Sequence, residues 1–144
     1  MEFTPTLVEK VSNNSLYNTF GIKIERAGEG KVTSRLDPEP AICWPTAGQP
    51  HGGVLFTLMD TTMAWAVITG LPEGYSCSTV NLDIQYPHMA KGEFFTCEAW
   101  IVHQTKRSSF ARADIRNPEG ILVAMAHGTF RVFKSDALAD MLTV

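Results

Sequence analysis

The sequence predicts an α+β fold in which a curved antiparallel sheet of five to six strands wraps around one long central helix. Three observations predict it. Residues 54–69 are apolar on nearly every side, as befits a helix covered all round by other elements. From residue 77 onward, strand patterns with short connections dominate. The chain has 144 residues, 44% apolar and 19% charged, the size and composition of one globular core without room for a second. Residues 1–144 therefore read as a single domain, with an N-terminal helical segment over 1–19 and the central helix over 54–69.

At the N-terminus, Pro5 suits a first helical position and Thr6 to Glu9 has capping-box spacing, predicting a short helix that Asn13-Asn14-Ser15 interrupts. Period-2 alternation starts over Phe20–Glu25, turns at Gly28-Glu29-Gly30 and resumes through Leu36, predicting a hairpin. Residues 37–50 contain four prolines and should be irregular. After the central helix, Pro72-Glu73-Gly74 leads into strands predicted at Cys77–Tyr86, Glu93–His103, Ser108–Asn117 and Ile121–Phe133. The last two should pair antiparallel across Asn117-Pro118-Glu119-Gly120, with proline and glycine in turn positions.

A net charge of -3 and a pI near 5.8 supply no positive field for nucleic acid, which is excluded as a partner. The apolar stretch 54–69 carries Asp60 and four threonines and falls short of the ~20 residues that span a bilayer, so no membrane partner is expected. The N-terminus shows no basic region followed by an apolar run. Cys43, Cys77 and Cys97 are odd in number and lack CxxC spacing, which points to reduced thiols and a cytoplasmic location, with none of them a nucleophile.

The candidate chemistry lies on the central helix. Asp60 is its single charge, and a carboxylate in apolar surroundings is costly unless it is hydrogen-bonded, faces water or is kept for its chemistry. Just before the helix, His51-Gly52-Gly53 presents two residues whose bare backbone admits close approach to N–H groups at the positive end of the helix dipole. This suits a carbonyl oxygen that gains negative charge during acyl transfer. Asp60 lies eight residues beyond Gly52, roughly 12 Å along the axis at 1.5 Å per residue, so one chain cannot bring them together. Two helices packed antiparallel about a two-fold axis would, giving two equivalent sites in a homodimer.

His51-Gly52-Gly53-Val54-x-x-x-Leu58-x-Asp60 resembles the signature of the hotdog-fold thioesterases of the phenylacetic-acid-pathway (PaaI-like) type. The likeness continues through Ser78–Tyr86, Lys106–Ile115 and Gly120–Phe130 and covers most of residues 20–133. It implies a helix rolled in a curved antiparallel sheet, assembled as dimers and often as tetramers. It also implies hydrolysis of acyl-CoA thioesters with neither metal nor cofactor. Position by position, Gly52 falls where the family's oxyanion N–H lies and Asp60 where its catalytic carboxylate lies, either to activate water as general base or to attack directly and form an anhydride. His51 falls where a histidine supports the turn, and Thr79 matches a hydroxyl that helps place water. Gly53 leaves the turn open to substrate, and Lys106 and Arg107 match a region that contacts CoA phosphates. One departure stands out. Six residues before the histidine, where the family often has Asn or Gln to hold the thioester or water, this chain has Pro45, and Gln49 is the available substitute.

Two rival activities are compatible with the sequence. A hydratase or dehydratase on the same fold would use a histidine at the substrate's β-carbon, with His88, His103 and His127 as candidates, though none stands beside a carboxylate in a recognisable motif. A non-catalytic acyl-CoA binding module is the other.

Overall fold

In a computed structural model, residues 3–43 and 48–143 are described, the side chains of Cys43 and of 141–143 excepted. The chain opens with helix α1 (Pro5–Ser12), which is capped two residues earlier than the expected Thr6–Glu9 box. The Thr4 hydroxyl accepts the Leu7 N–H at 3.3 Å, with Pro5 in the first turn. Asn13 ends α1, and the side chain of Asn14 caps α2 (Ser15–Phe20) by accepting the Tyr17 N–H at 3.0 Å. Phe20, expected to begin the first strand, instead closes this helix. Gly21 then reverses the chain at φ 83°, where a Cβ would collide with the Asp37 carbonyl, so only glycine fits.

Strands β1 (Ile22–Gly28) and β2 (Lys31–Leu36) form the expected hairpin around Glu29-Gly30, both at positive φ. The proline-rich segment holds one turn of helix, α3 (Pro40–Cys43), where only irregular chain was expected. The central helix α4 (Gly52–Thr69) starts two residues before its expected bound because His51 serves as its cap. Strands β3 (Tyr75–Gln85), β4 (Phe95–Gln104), β5 (Ser108–Arg116) and β6 (Leu122–Lys134) follow close to their expected limits, and the turn Asn117–Gly120 joins β5 to β6 antiparallel. A last helix, α5 (Ala137–Thr143), was not expected.

The six strands make one antiparallel sheet in the order β1-β2-β4-β5-β6-β3. Strand β3 crosses over to pair with β6, which leaves β1 and β3 as the two edges. The α4 helix lies against all six strands. By length and apolarity alone it could cross a bilayer, yet the sheet covers most of it. Leu58, Met59, Met63, Ala66 and Val67 are fully buried against Phe95, Ile115, Val123 and Phe130. At roughly 25 cal/mol per Å² of apolar area, each of these side chains larger than alanine contributes about 1.5–3 kcal/mol. The N-terminal helices close one flank. The Trp65 Nε1–H donates to the Tyr17 hydroxyl at 2.9 Å, and Phe3 meets the Trp65 ring edge-on at 5.8 Å.

Candidate active site

The sheet does not cover α4 completely. Gly53, Phe56, Thr57, Asp60, Thr61, Ala64 and Ile68 retain exposure and recur every three or four positions, forming one open stripe along the helix. Asp60 sits at its middle, and the His51-Gly52-Gly53 turn sits at its N-terminal end.

At that end the backbone donors are accounted for one by one. His51 Nδ1 accepts the Gly53 N–H at 2.8 Å, which requires the neutral tautomer with its proton on Nε2. The His51 carbonyl accepts the Val54 N–H at 2.9 Å. The Gly52 N–H has no hydrogen-bond partner among the described residues, and it lies in the first turn, where the helix dipole adds positive potential. A carbonyl oxygen developing negative charge would find here one directed donor. Gly53, read as open to substrate, has its own N–H engaged by His51.

Asp60 is held from the sheet. Thr79 on β3 donates its hydroxyl to Asp60 Oδ1 at 2.7 Å, and Oδ2 has no partner among the described residues. A β-bulge aims this hydroxyl. The β3–β6 register breaks between Thr79, opposite Phe130, and Asn81, opposite Thr129, leaving Val80 unpaired and exposed. Cys77 and Thr79 therefore face α4 before the bulge, while Leu82 and Ile84 do so after it. Burial pushes the Cys77 thiol up to about 12, with the negative charge of Asp60 adding to the effect, so this cysteine is not a nucleophile.

Gln49 lies beside the turn, and its Oε1 is buried without a partner among the described residues. With Gly52, Tyr86, His88 and Met89 it lines a cavity of about 320 Å³. Pro45 lies outside the described residues. Lys106 and Arg107 are exposed on the β4–β5 turn, and Lys106 borders a groove of about 850 Å³ with Gly70, Leu71 and Tyr75, at the end of α4 opposite Gly52. One chain therefore brings Asp60 and Thr79 together, and His51, Gly52 and Gln49 together, but does not join these groups to each other or to the basic pair.

The remaining histidines are scattered. His88 borders the cavity beside Gly52, and His103 stacks on Phe110 at 6.3 Å. His127 does stand near a carboxylate, with Asp83 3.8 Å away across β3 and β6, but on the sheet face turned away from α4. None of them adjoins Asp60.

Sequence reasoning missed Tyr86. Its hydroxyl donates to the Gly52 carbonyl at 2.7 Å, and burial raises the phenol above its ordinary range, keeping it a donor through neutral pH. Gln85-Tyr86-Pro87 reads simply as a strand end, so no local signal marks the residue.

The profile of the thioesterase superfamily matches residues 48–124, just over half of the chain, including the whole of α4. A Halobacterium salinarum protein named as an esterase is 28% identical over 135 residues, covering 88% of this chain and 89% of its own. A Bacillus halodurans protein solved with CoA is 34% identical, with a TM-score of 0.66 over 69% of this chain and 70% of its own. The E. coli PaaI protein of the phenylacetic acid degradation operon superposes with a TM-score of 0.79 at 22% identity, covering 88% and 90% of the two chains. With the six-stranded sheet rolled on α4 and the His-Gly-Gly turn eight residues ahead of its acid, the chain belongs to the thioesterase superfamily and has the hotdog fold that it shares with the E. coli PaaI protein.

Proposed function

We propose that the protein hydrolyses acyl-CoA thioesters in a homodimer whose two sites each combine Gly52 of one copy with Asp60 of the other. The observation that carries this reading is the open stripe of α4, with an unengaged N–H at one end and a carboxylate poised by Thr79 at the middle. In one copy they are held apart by roughly 12 Å of helix. Antiparallel packing of two such stripes covers both and brings each acid to the partner's turn. The edge strand β3 supports the same arrangement. It is 11 residues long, unpaired on one side and adjacent to Asp60, and an uncovered edge of that length favours pairing with a second copy.

In this site the Gly52 N–H polarises the thioester carbonyl. Asp60, ionised and fixed through Oδ1, takes a proton from water on Oδ2 as that water attacks the carbonyl carbon. Collapse of the tetrahedral intermediate breaks the C–S bond. The thiolate leaves with the proton from Asp60, giving free acid and CoA, and no metal or cofactor takes part. His51 and Gln49 border the turn, and the exposed Lys106 and Arg107 are the basic side chains available to the CoA phosphates. The CoA-bound relative supports CoA as the carrier. Exposed Val102, Phe110 and Met125, with half-buried Trp100, on the outer sheet face offer dimers a surface for joining into tetramers, and the free Cys77 and Cys97 suit a reducing cytoplasm.

Asp60→Asn should abolish nearly all thiol release across short, medium and aromatic acyl-CoAs while leaving the circular dichroism spectrum unchanged. Mixed and refolded with Gly52→Pro, which removes the N–H at a first helical position that tolerates proline, it should recover about a quarter of wild-type activity, because half the dimers are mixed and each restores one of two sites. Full activity of Asp60→Asn on every ester refutes the role of the acid, and no recovery on mixing refutes the shared site. Hydration of crotonyl-CoA without thiol release would favour a hydratase, and tight CoA-ester binding without hydrolysis over hours a binding module.

A further inference from the structure

Two consecutive glycines are the most mobile backbone a chain can offer, yet a catalytic N–H must point in one direction before substrate arrives. The His51–Gly52 peptide is pinned by its carbonyl, which accepts the Val54 N–H at 2.9 Å. The next peptide, between Gly52 and Gly53, is gripped at both ends. Tyr86 Oη donates to its carbonyl at 2.7 Å, and His51 Nδ1 accepts its N–H at 2.8 Å. With both flanking peptides fixed, the φ and ψ of Gly52 are fixed too, and its N–H is held in one orientation.

The contact also accounts for the glycine. Gly52 is not among the positive-φ residues, so its conformation does not by itself demand glycine. A Cβ at this position would instead meet Tyr86 Cζ at 3.2 Å and Oη at 3.3 Å, so the aromatic ring occupies the space of the missing side chain.

We infer that Tyr86 is a positioning residue for hydrolysis: with His51 it clamps the Gly52–Gly53 peptide, and so aims the Gly52 N–H at the thioester oxygen. The inference rests on the reading of Gly52 as the oxyanion donor. Its physical core, a peptide held from two sides, is independent of that reading.

The test is Tyr86→Phe in the full chain, which keeps the ring and removes only the donor. Amide hydrogen exchange followed by NMR should show Gly53 losing protection severalfold, with the core amides of α4 unchanged. Thiol-release kinetics should show kcat falling about tenfold, the scale of a misaligned oxyanion donor, with KM within about twofold. Because His51 and Tyr86 act on one peptide, the loss of kcat in His51→Ala/Tyr86→Phe should be smaller than the product of the single losses. A merely structural tyrosine would give independent effects and no selective change in kcat. The clamp is overturned if Gly53 exchange is unaltered, or if Tyr86→Phe keeps full kcat in a protein whose wild type turns over. Should the wild type release no thiol from any ester, the thioesterase reading fails, and the exchange measurement alone decides the clamp.

Discussion

Thr79→Val removes one hydroxyl at nearly constant volume and so isolates the hydrogen bond to Asp60. At 2.7 Å to a carboxylate oxygen this bond belongs to the charge-assisted class, for which about 1.5–3 kcal/mol is typical. Thr79 is exposed in the single chain and water can replace much of the bond there, which sets the lower end of that range. About 1.4 kcal/mol corresponds to a tenfold change in rate, and the expected effect is therefore a fall in kcat of about tenfold. The melting temperature should fall by no more than about 3–6 °C, because the lost bond lies outside the apolar core. Thiol release from one well-used acyl-CoA, measured from well below to well above KM, separates kcat from KM. If Asp60 is aimed by Thr79, kcat takes the loss and KM stays put. A variant with wild-type kcat would show that the bulge at Val80 orients nothing of catalytic consequence, and that the Asp60–Thr79 contact serves folding alone.

Two further outcomes follow from the backbone and the core. Gly21→Ala forces a Cβ into the Asp37 carbonyl at a left-handed φ and should cost about 3 kcal/mol or more, read as a lower urea midpoint; an unchanged midpoint would show that the α2–β1 corner relaxes freely. Burial holds Cys97 up to about 12 against an ordinary 9.0, so the native thiol keeps its proton while the unfolded one loses it above about pH 9. Stability from this group is complete below pH 9 and declines as pH rises towards 12, so the urea midpoint of wild type should fall more steeply over that window than that of Cys97→Ala, and parallel profiles would contradict it.

The residues legible in the sequence are those whose physics is local. Asp60 stands out because one charge on an all-round apolar helix needs a reason, whereas the His-Gly-Gly turn is a weak signal alone, since every helix start leaves N–H groups unsatisfied, and gains weight only from its spacing to Asp60. The strands were legible for the same kind of reason, since each repeats with a period of two and ends at a turn residue. What escaped depends on the third dimension. Thr79 was named by the resemblance and not by the strand pattern, since strict alternation along Ser78-Thr79-Val80-Asn81 cannot tell which hydroxyl faces the helix when the bulge at Val80 changes the phase in mid-strand. Thr4 replaced Thr6 as a cap because Pro5 already occupies the first turn, a competition that pattern matching does not weigh. Tyr86 was invisible because its partner lies 34 residues away, joined to it only by the crossover of β3 to the far edge of the sheet.

That crossover also bears on the separation of the two halves of the site. Strand β3 follows α4 directly in sequence but lies at the sheet edge, next to β6, so one strand carries Thr79 to the middle of the helix and ends where Tyr86 reaches its start. Both auxiliary contacts are therefore set by the register of a single edge strand. A one-residue slip of β3 would move Thr79 off Asp60 and Tyr86 off Gly52 together, because successive side chains face opposite sides. Pairing of this edge with a second copy would hold that register from both sides, and the dimer would then align both halves of each site as well as bring them together.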